Sequence, residues 1–267
     1  MTEKEYRASP GISRSELWRL NPRAGGTPEK FLWAQKNPKP TTPAMLLGIL
    51  AHKALLEPEK FDEDFVTAPD VDRRTKDGKA AWAAFQAEAK DRTVVPYDSW
   101  LLACKMAEAA NSTPFVKALL NGKREHPIFW TDPDTGEQCK ARLDCLSDFD
   151  GTPIIIDYKT TTDATPSAFS RKSLNMGYDF QSGMYSEAVE QKTGSKPRFV
   201  FIVQETEEPF AVNLFEADDE FIQHGKDIYR ELLGIYHECK TTGNWYGYLG
   251  PKPVISRLSL PAWATNE

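Results

Sequence analysis

The sequence predicts one α/β domain with a helical N-terminal portion. Three observations carry this. Residues 44–120 are dominated by stretches of helical composition. Residues 126–159 hold three strand-like runs separated by turn residues. Beyond residue 179 helical and strand-like segments alternate. With no internal repeat or low-complexity linker, the simplest division is an N-terminal extension (1–43), a core (44–240) and a C-terminal extension (241–267).

Residues 1–43 are rich in Pro, Gly and Lys. Within them Ser13-Arg14-Ser15-Glu16-Leu17-Trp18 predicts a short helix, with Ser13 as cap and Glu16 closing a capping box. Pro38 to Pro43 reads as a loop. Ala44 to Glu57 reads as an apolar helix stopped by Pro58. Residues 61–75 read as irregular, Asp77 to Lys90 as a helix, and Pro96 to Leu120 as one long helical stretch ending before Asn121-Gly122. His126 to Thr131, Gln138 to Leu146 and Pro153 to Lys159 then predict a three-stranded meander. Its turns are Asp132 to Gly136 and Asp148 to Pro153. A helix follows from Asp179 to Lys192, then strands at Arg198 to Glu205 and Pro209 to Phe215. The last long helix is expected from Ala217 to Cys239, opened by acids that suit a helix N-terminus.

Composition narrows the function classes. The chain has 267 residues, 40% apolar and 27% charged, enough for a sizeable core. No window approaches the roughly 18 apolar residues of a membrane helix, and Met1 to Tyr6 has no apolar signal region. A cytoplasmic protein without membrane contact is expected. Cys104, Cys139, Cys145 and Cys239 have no metal-finger spacing and read as reduced thiols. A net charge of −6 argues against bulk nucleic-acid affinity, although an acidic metal site needs only a local basic groove.

The most informative stretch is Ile154-Ile155-Ile156-Asp157-Tyr158-Lys159, preceded by Arg142-Leu143-Asp144. A hairpin brings Asp144 close to Asp157. Lys159, two positions beyond Asp157, shares its strand face. Two carboxylates and an ammonium held together in a buried place call for a partner, and a divalent cation takes carboxylate oxygens. Phosphodiester hydrolysis needs a positioned water, a stabilised leaving oxygen and neutralised phosphate charge, work that one or two Mg²⁺ ions do. Asp144, Asp157 and the Tyr158 carbonyl can hold the metal. Lys159 can position or deprotonate the water, or stabilise the phosphorane. The competing reading is a structural Asp–Lys ion pair.

His52 lies in an apolar helix. Either it packs in the core, or its neutral imidazole completes the metal site, with Gly48 leaving space beside the ring. Gln181 and Tyr185 share a helix face and can contact phosphate or base; an ordinary amphipathic helix is the alternative. Glu125 can add an acid near the metals or stay solvated. Thr160, Thr161 and Thr162 can grip phosphate, with Arg171 and Lys172 adding charge from the next loop. Trp245, Tyr246 and Tyr248 can stack on bases or serve packing or a subunit contact.

Together these residues resemble the PD-(D/E)XK nuclease superfamily, and within it the RecE-type (exonuclease VIII-like) domain of phages and prophages. RecB-type and lambda-exonuclease domains are more distant. The likeness rests on Ala8 to Ser13, on Gly48 to Phe61 around His52, on Arg142-Leu143-Asp144 with Ile156 to Thr161, and on Gln181-Ser182-Gly183-Met184-Tyr185. It runs from about residue 8 to about residue 240. One departure is Leu143, rather than Pro, before the first acid.

The resemblance implies a central mixed β-sheet flanked by helices, His52, Asp144 and Asp157 as metal ligands, and a catalytic Lys159. Gln181 and Tyr185 would support the site, with Glu125 a further candidate. It implies a Mg²⁺-dependent enzyme, with Mn²⁺ as substitute, that degrades one strand of linear double-stranded DNA 5′→3′ and leaves a 3′ overhang. The implied partners are DNA ends, a RecT-like single-strand annealing protein and further copies in a ring. An endonuclease of the same superfamily and a non-catalytic DNA-binding module are the alternatives.

Overall fold

The computed structural model of the protein describes residues 1–90, 92–253, 255 and 257–260; the end of the expected C-terminal extension, 261–267, lies outside the described residues. The helices are α1 (Glu3–Ala8), α2 (Arg14–Leu17), α3 (Pro28–Lys36), α4 (Pro43–Leu56), α5 (Pro58–Asp64), α6 (Lys76–Ala89), α7 (Tyr97–Asn111), α8 (Pro114–Leu119), α9 (Pro166–Asn175), α10 (Tyr178–Thr193) and α11 (Asp219–Thr242). The strands are β1 (Ile12–Ser13), β2 (Phe65–Thr67), β3 (Thr93–Val95), β4 (Lys123–Thr131), β5 (Gln138–Phe149), β6 (Thr152–Thr161), β7 (Arg198–Glu205) and β8 (Val212–Glu216).

The main sheet has the order β1-β5-β6-β7-β8, with β4 also paired to β5. It is mixed: β1/β5 and β6/β7 are parallel, and β4/β5, β5/β6 and β7/β8 are antiparallel. β4, β5 and β6 are the expected meander. The β5–β6 turn is tighter than expected, because Asp148 and Phe149 already pair with Pro153 and Thr152. Only Asp150 (φ 51°) and Gly151 (φ 78°) form the loop, the left-handed pair that a two-residue hairpin turn requires.

Alternation sorts side chains into two cores, one on each face of the sheet. Ile155, Phe199, Phe201 and Val203 enter the first with Leu17, Phe31, Phe180, Met184, Tyr229 and Leu232. Ile154, Ile156, Tyr158, Val200 and Ile202 enter the second with Leu50, Leu55, Phe61, Met106 and Val116. Residues 1–43 are woven into this body: β1 pairs with β5, and Leu17, Leu20 and Phe31 are buried.

Three expected elements differ. Residues 61–75 are not wholly irregular: Pro58 ends α4 and, at the first turn of α5, starts a new helix whose Phe61 is buried. The stretch Pro96 to Leu120 is two helices, since Pro114 has no N–H to continue α7 and begins α8 instead. The strand expected from Pro209 is shorter and begins at Val212.

Candidate active site

The sheet opens where the acids lie. The β5/β6 ladder runs from Phe149↔Thr152 to Cys145↔Ile156 and stops short of Asp144 and Asp157, while β6 stays paired to β7 through Thr161. On the other edge of β5, the β4 ladder skips the facing pair Glu125 and Asp144, between Arg124↔Cys145 and His126↔Leu143. Glu125 sits at φ 47°, a left-handed conformation costing a non-glycine residue roughly 1–2 kcal/mol. The side-chain alternation of both strands reverses at this pair. Cys139, Ala141 and Leu143 enter the first core, whereas Cys145 enters the second. Ile128 and Trp130 enter the first core, whereas Arg124 reaches the opposite layer and donates to the Leu55 and Leu56 carbonyls of α4 at 3.3 Å. The backbone N–H of Tyr158 then donates to Asp144 Oδ2 (2.7 Å), so the carboxylate takes over where the ladder ends.

His52 reaches this opening from α4. Its Nε2 lies 2.8 Å from Asp144 Oδ2 and its Nδ1 lies 3.2 Å from Glu125 Oε1. His52, Glu125 and Asp144 each offer a ligand atom within 4.8 Å of the others, the sole such group among the described residues. Glu125 therefore belongs to the group whose geometry could hold a metal ion, and Asp157, expected as a ligand, lies outside this tightest group. The Arg142 guanidinium holds Glu125 from behind, its Nε 2.7 Å from Glu125 Oε2.

Asp157 and Lys159 point to the first-core face, toward α10. Gln181 Nε2 donates to Asp157 Oδ1 (2.5 Å) and Lys159 Nζ donates to Gln181 Oε1 (3.2 Å), so one amide orients both groups. Lys159 Nζ lies 2.5 Å from Asp157 Oδ2, yet outside hydrogen-bond geometry, and that oxygen is buried with no hydrogen-bond partner. A buried carboxylate oxygen that is paired to an ammonium but accepts no hydrogen bond, beside a histidine–carboxylate group, fits a divalent cation, which satisfies lone pairs that protein donors leave over. The ammonium also lies 4.7 Å from the centre of the Tyr178 ring.

Gly183 explains why α10 can place Gln181 so closely. A Cβ there would lie 2.2 Å from the Lys226 backbone nitrogen, and one on Gly225 would lie 1.8 Å from the Asp179 carbonyl. α10 and α11 therefore touch backbone to backbone.

The environment drives the two aspartates apart. Burial raises the Asp144 carboxyl, but the His52 imidazolium, Lys159 and the Tyr158 amide outweigh it and hold the carboxyl below its ordinary range. Burial raises Asp157 to about 6, with the Asp144 charge adding to it and Lys159 opposing it. Burial disfavours a charged His52, but Asp144 and Glu125 reverse this and lift it to about 10. Such separation of neighbouring carboxyls is frequent where acids do chemistry.

The remaining expected residues divide. Tyr185 is buried on the same face as Gln181, and both line a cleft with Arg14 and Arg142. The Tyr158 side chain points away and donates to Gln204 (2.5 Å), leaving its backbone to the site. Thr160 lines a cleft of about 680 Å³ with His52, Lys159 and Gly48, and a Cβ on Gly48 would meet Thr160 Oγ1 at 3.5 Å. Thr161 is buried, and its hydroxyl accepts from Lys172 Nζ (3.0 Å). Arg171 and Lys172 lie on α9 rather than in a loop. Arg171 is exposed, whereas the Lys172 ammonium is turned inward onto the Thr160 carbonyl (3.1 Å), so Lys172 and Thr161 serve each other rather than a ligand. Trp245 stacks on Phe31 at 5.4 Å and Lys30 lies over Tyr248, which is packing. Cys139, Cys145 and Cys239 are buried, and all four thiols are free.

Sequence reasoning missed Arg142 and Arg14. Arg142 had a signal, since it stands two positions before Asp144 on the same strand. Arg14 had none beyond its place in a capping box. It is half-buried and donates to the Gly177 carbonyl (2.7 Å) just before α10.

A mixed sheet between helices, opened at a hairpin to present D-x-K beside a further acid, defines a PDDEXK-like core. The model of a family described as a PDDEXK-like domain of unknown function (DUF3799) matches residues 26–251, and the chain belongs to that family. A crystal structure from Eubacterium rectale, of a protein named as a candidate exonuclease, is similar over 97% of this chain and 96% of that one, at a TM-score of 0.63 and 12% identity. At that identity the likeness shows the fold. The structure titled SSO0001 covers 85% of this chain and 81% of its own, at 11% identity and a TM-score of 0.40, too low to carry an argument. Nothing among the curated proteins matches. Among the described residues no helix is long and apolar enough to cross a membrane.

Proposed function

We infer that this protein is a divalent-metal-dependent deoxyribonuclease. The observation that carries the reading is the backbone opening that turns Glu125 and Asp144 onto His52, beside an Asp157–Lys159 pair aligned by Gln181. His52, Glu125, Asp144, Asp157 and the Tyr158 carbonyl are the residues that would hold the metal. When bound, Mg²⁺ or Mn²⁺ supplies neutralisation of phosphate charge and an acidified water. The imidazole nitrogen in the donor set favours a metal that accepts nitrogen as well as oxygen, so Mn²⁺ should support activity at least as well as Mg²⁺.

The chain's own residues supply the rest. Lys159 Nζ, on the open side of Asp157, positions the attacking water and stabilises charge on the phosphate. Gln181 fixes the angle between Lys159 and Asp157, and the Tyr158 amide fixes Asp144. Burial of the acids excludes bulk water, which strengthens each of these interactions.

The finer reading is an exonuclease of RecE type. It acts 5′→3′ on linear double-stranded DNA and leaves 3′ overhangs for recombination by strand annealing, as one domain in a homo-oligomeric ring, with a RecT-like partner and within the cytoplasm. A ring would retain an acidic chain on DNA by topology. Its support is the order of the four sequence motifs and the name of the Eubacterium rectale neighbour. The test is digestion of linear and covalently closed duplex with Mg²⁺ or Mn²⁺. Nucleotide release from linear duplex alone is expected. Nicking of closed circles at a similar rate would make it an endonuclease, and no cleavage of either would overturn the reading.

A further inference from the structure

Helix α1 does no packing that the fold requires, yet it stands at the mouth of the site. None of its six residues is buried, and a helix so short is marginal on its own. It is held by charge. Glu3 pairs with Arg142 Nη2 and with Arg7. Lys140 Nζ donates to the carbonyls of Ser9 (2.7 Å), Arg7 (3.1 Å) and Tyr6 (3.3 Å) at its C-terminal end, and the Tyr6 ring lies 5.3 Å from the Arg142 guanidinium.

The Glu3–Arg142 pair is a partition. One cleft holds His52, Tyr158, Lys159 and Thr160; a second holds Arg19, Gln181 and Tyr185; a third holds Lys60, Glu63 and Arg92. Glu3 and Arg142 line all three. The two halves of the candidate site thus open into different clefts, and the Glu3–Arg142 pair stands between them together with Arg7 and Arg14. Arg142 is divided in the same way: Nε holds Glu125 of the candidate metal group, while Nη2 is spent on Glu3. A guanidinium fork that holds a carboxylate matches a phosphate equally well.

We propose that α1 is an acidic strap in which Glu3 occupies, on Arg142, the place that a backbone phosphate of DNA takes. Displacing Glu3 joins the clefts into one groove past Lys159 and frees Nη2 for the phosphate, while Nε keeps Glu125 in position. The proposal deepens the nuclease reading and rests on it for the identity of the ligand. Arg7, Arg14, Arg19 and Lys140 line the same groove and give it the local positive charge that the acidic chain lacks overall.

The test measures binding of a fluorescein-labelled linear duplex by anisotropy, in a Lys159→Ala background so that cleavage does not intervene. Glu3→Gln should bind about five-fold tighter, as expected when a competing carboxylate leaves a partly exposed ion pair. Glu3→Asp, which keeps the charge but shortens the reach, should fall between. On an Arg142→Gln background the Glu3→Gln gain should vanish, which a merely structural role for Glu3 would not produce. Unchanged or weaker binding by Glu3→Gln at an unchanged melting temperature overturns the proposal, as does an equal gain on both backgrounds. Cleavage by otherwise native protein, assayed separately, distinguishes the two readings: tighter binding without cleavage removes the nuclease and keeps the strap, while cleavage with unchanged binding does the reverse.

Discussion

Strand β5 carries a histidine–carboxylate group at its middle and follows directly on another, and the two are built on opposite terms. Just before the start, Glu137 stands between His237 (Nδ1 to Oε1, 3.0 Å) and Lys240 (Nζ to Oε2, 2.6 Å), both on α11. One acid faces two nitrogen groups, each oxygen has its partner, and the ladder beside it is unbroken from Thr131↔Gln138 to His126↔Leu143. In the middle, Glu125, Asp144 and the nearby Asp157 face His52, Arg142 and Lys159. There the β5/β6 ladder stops and the β4/β5 ladder skips a pair, Glu125 takes a left-handed φ, and a buried oxygen accepts no hydrogen bond. The first arrangement closes its own charges and needs nothing further. The second crowds three acids together, interrupts the regular backbone to do so, and leaves one buried oxygen without a hydrogen bond. Strain and unsatisfied polarity concentrated in one place mark a site rather than a staple.

The largest expected effect separates the two groups by activity. Asp144→Asn should lower DNA cleavage at least ~10³-fold, on the scale of losing a group that acts in the transition state. Glu137→Gln should leave cleavage within about two-fold and cost no more than ~1 kcal/mol, because its partners are half exposed. Equal losses of activity would erase the distinction between the two groups.

The next effect concerns the frame that aims Gln181. Gly225→Ala places a methyl 1.8 Å from the Asp179 carbonyl, and forcing α10 from α11 should cost about 3 kcal/mol in chemical denaturation. Activity should fall with it, since Gln181 rides on α10. Full stability in that variant would show that the helices do not touch as described.

Metal should act on the middle group alone. If Mg²⁺ or Mn²⁺ binds the folded chain, the melting temperature rises by an amount equivalent to about 2.7 kcal/mol at 100 times the Kd. Asp144→Asn should abolish this rise and Glu137→Gln should keep it.

The remaining effect is on pH. In metal-free protein the His52 pKa is raised from 6.5 to about 10 by Asp144 and Glu125 acting against burial. A raised folded-state pKa means that its stabilisation is complete below pH 6.5 and is lost as pH rises toward 10. Melting temperature should therefore decline across that window, and His52→Gln should flatten the decline. A rise with pH would contradict the assignment of His52 as the imidazolium between two carboxylates.

Much of this contrast was legible in the sequence. The Ile154 to Lys159 run fixes a strand with Asp157 and Lys159 on one face, and residue alternation alone gives that. Gln181 and Tyr185 follow from helical spacing, and Asp150-Gly151 from turn chemistry. What stayed hidden depends on irregular backbone and long-range contact. No local pattern announces that Glu125 turns left-handed, so its entry into the candidate metal group ahead of Asp157 could not be read. Lys172 looked available because its partner, the carbonyl of Thr160, is set by tertiary packing. The helical composition on both sides of Pro114 masks the break there, and Pro58 is at once the stop of α4 and the start of α5.

The central claim is that the opened hairpin is a catalytic metal site. The most direct measurement is digestion of end-labelled linear duplex DNA with Mg²⁺ by the wild-type chain and by Lys159→Ala. Release of label by the wild type, lost with chelator and reduced at least ~10³-fold in the variant, is the predicted result. Equal cleavage by both proteins, or cleavage that persists with chelator, would contradict it.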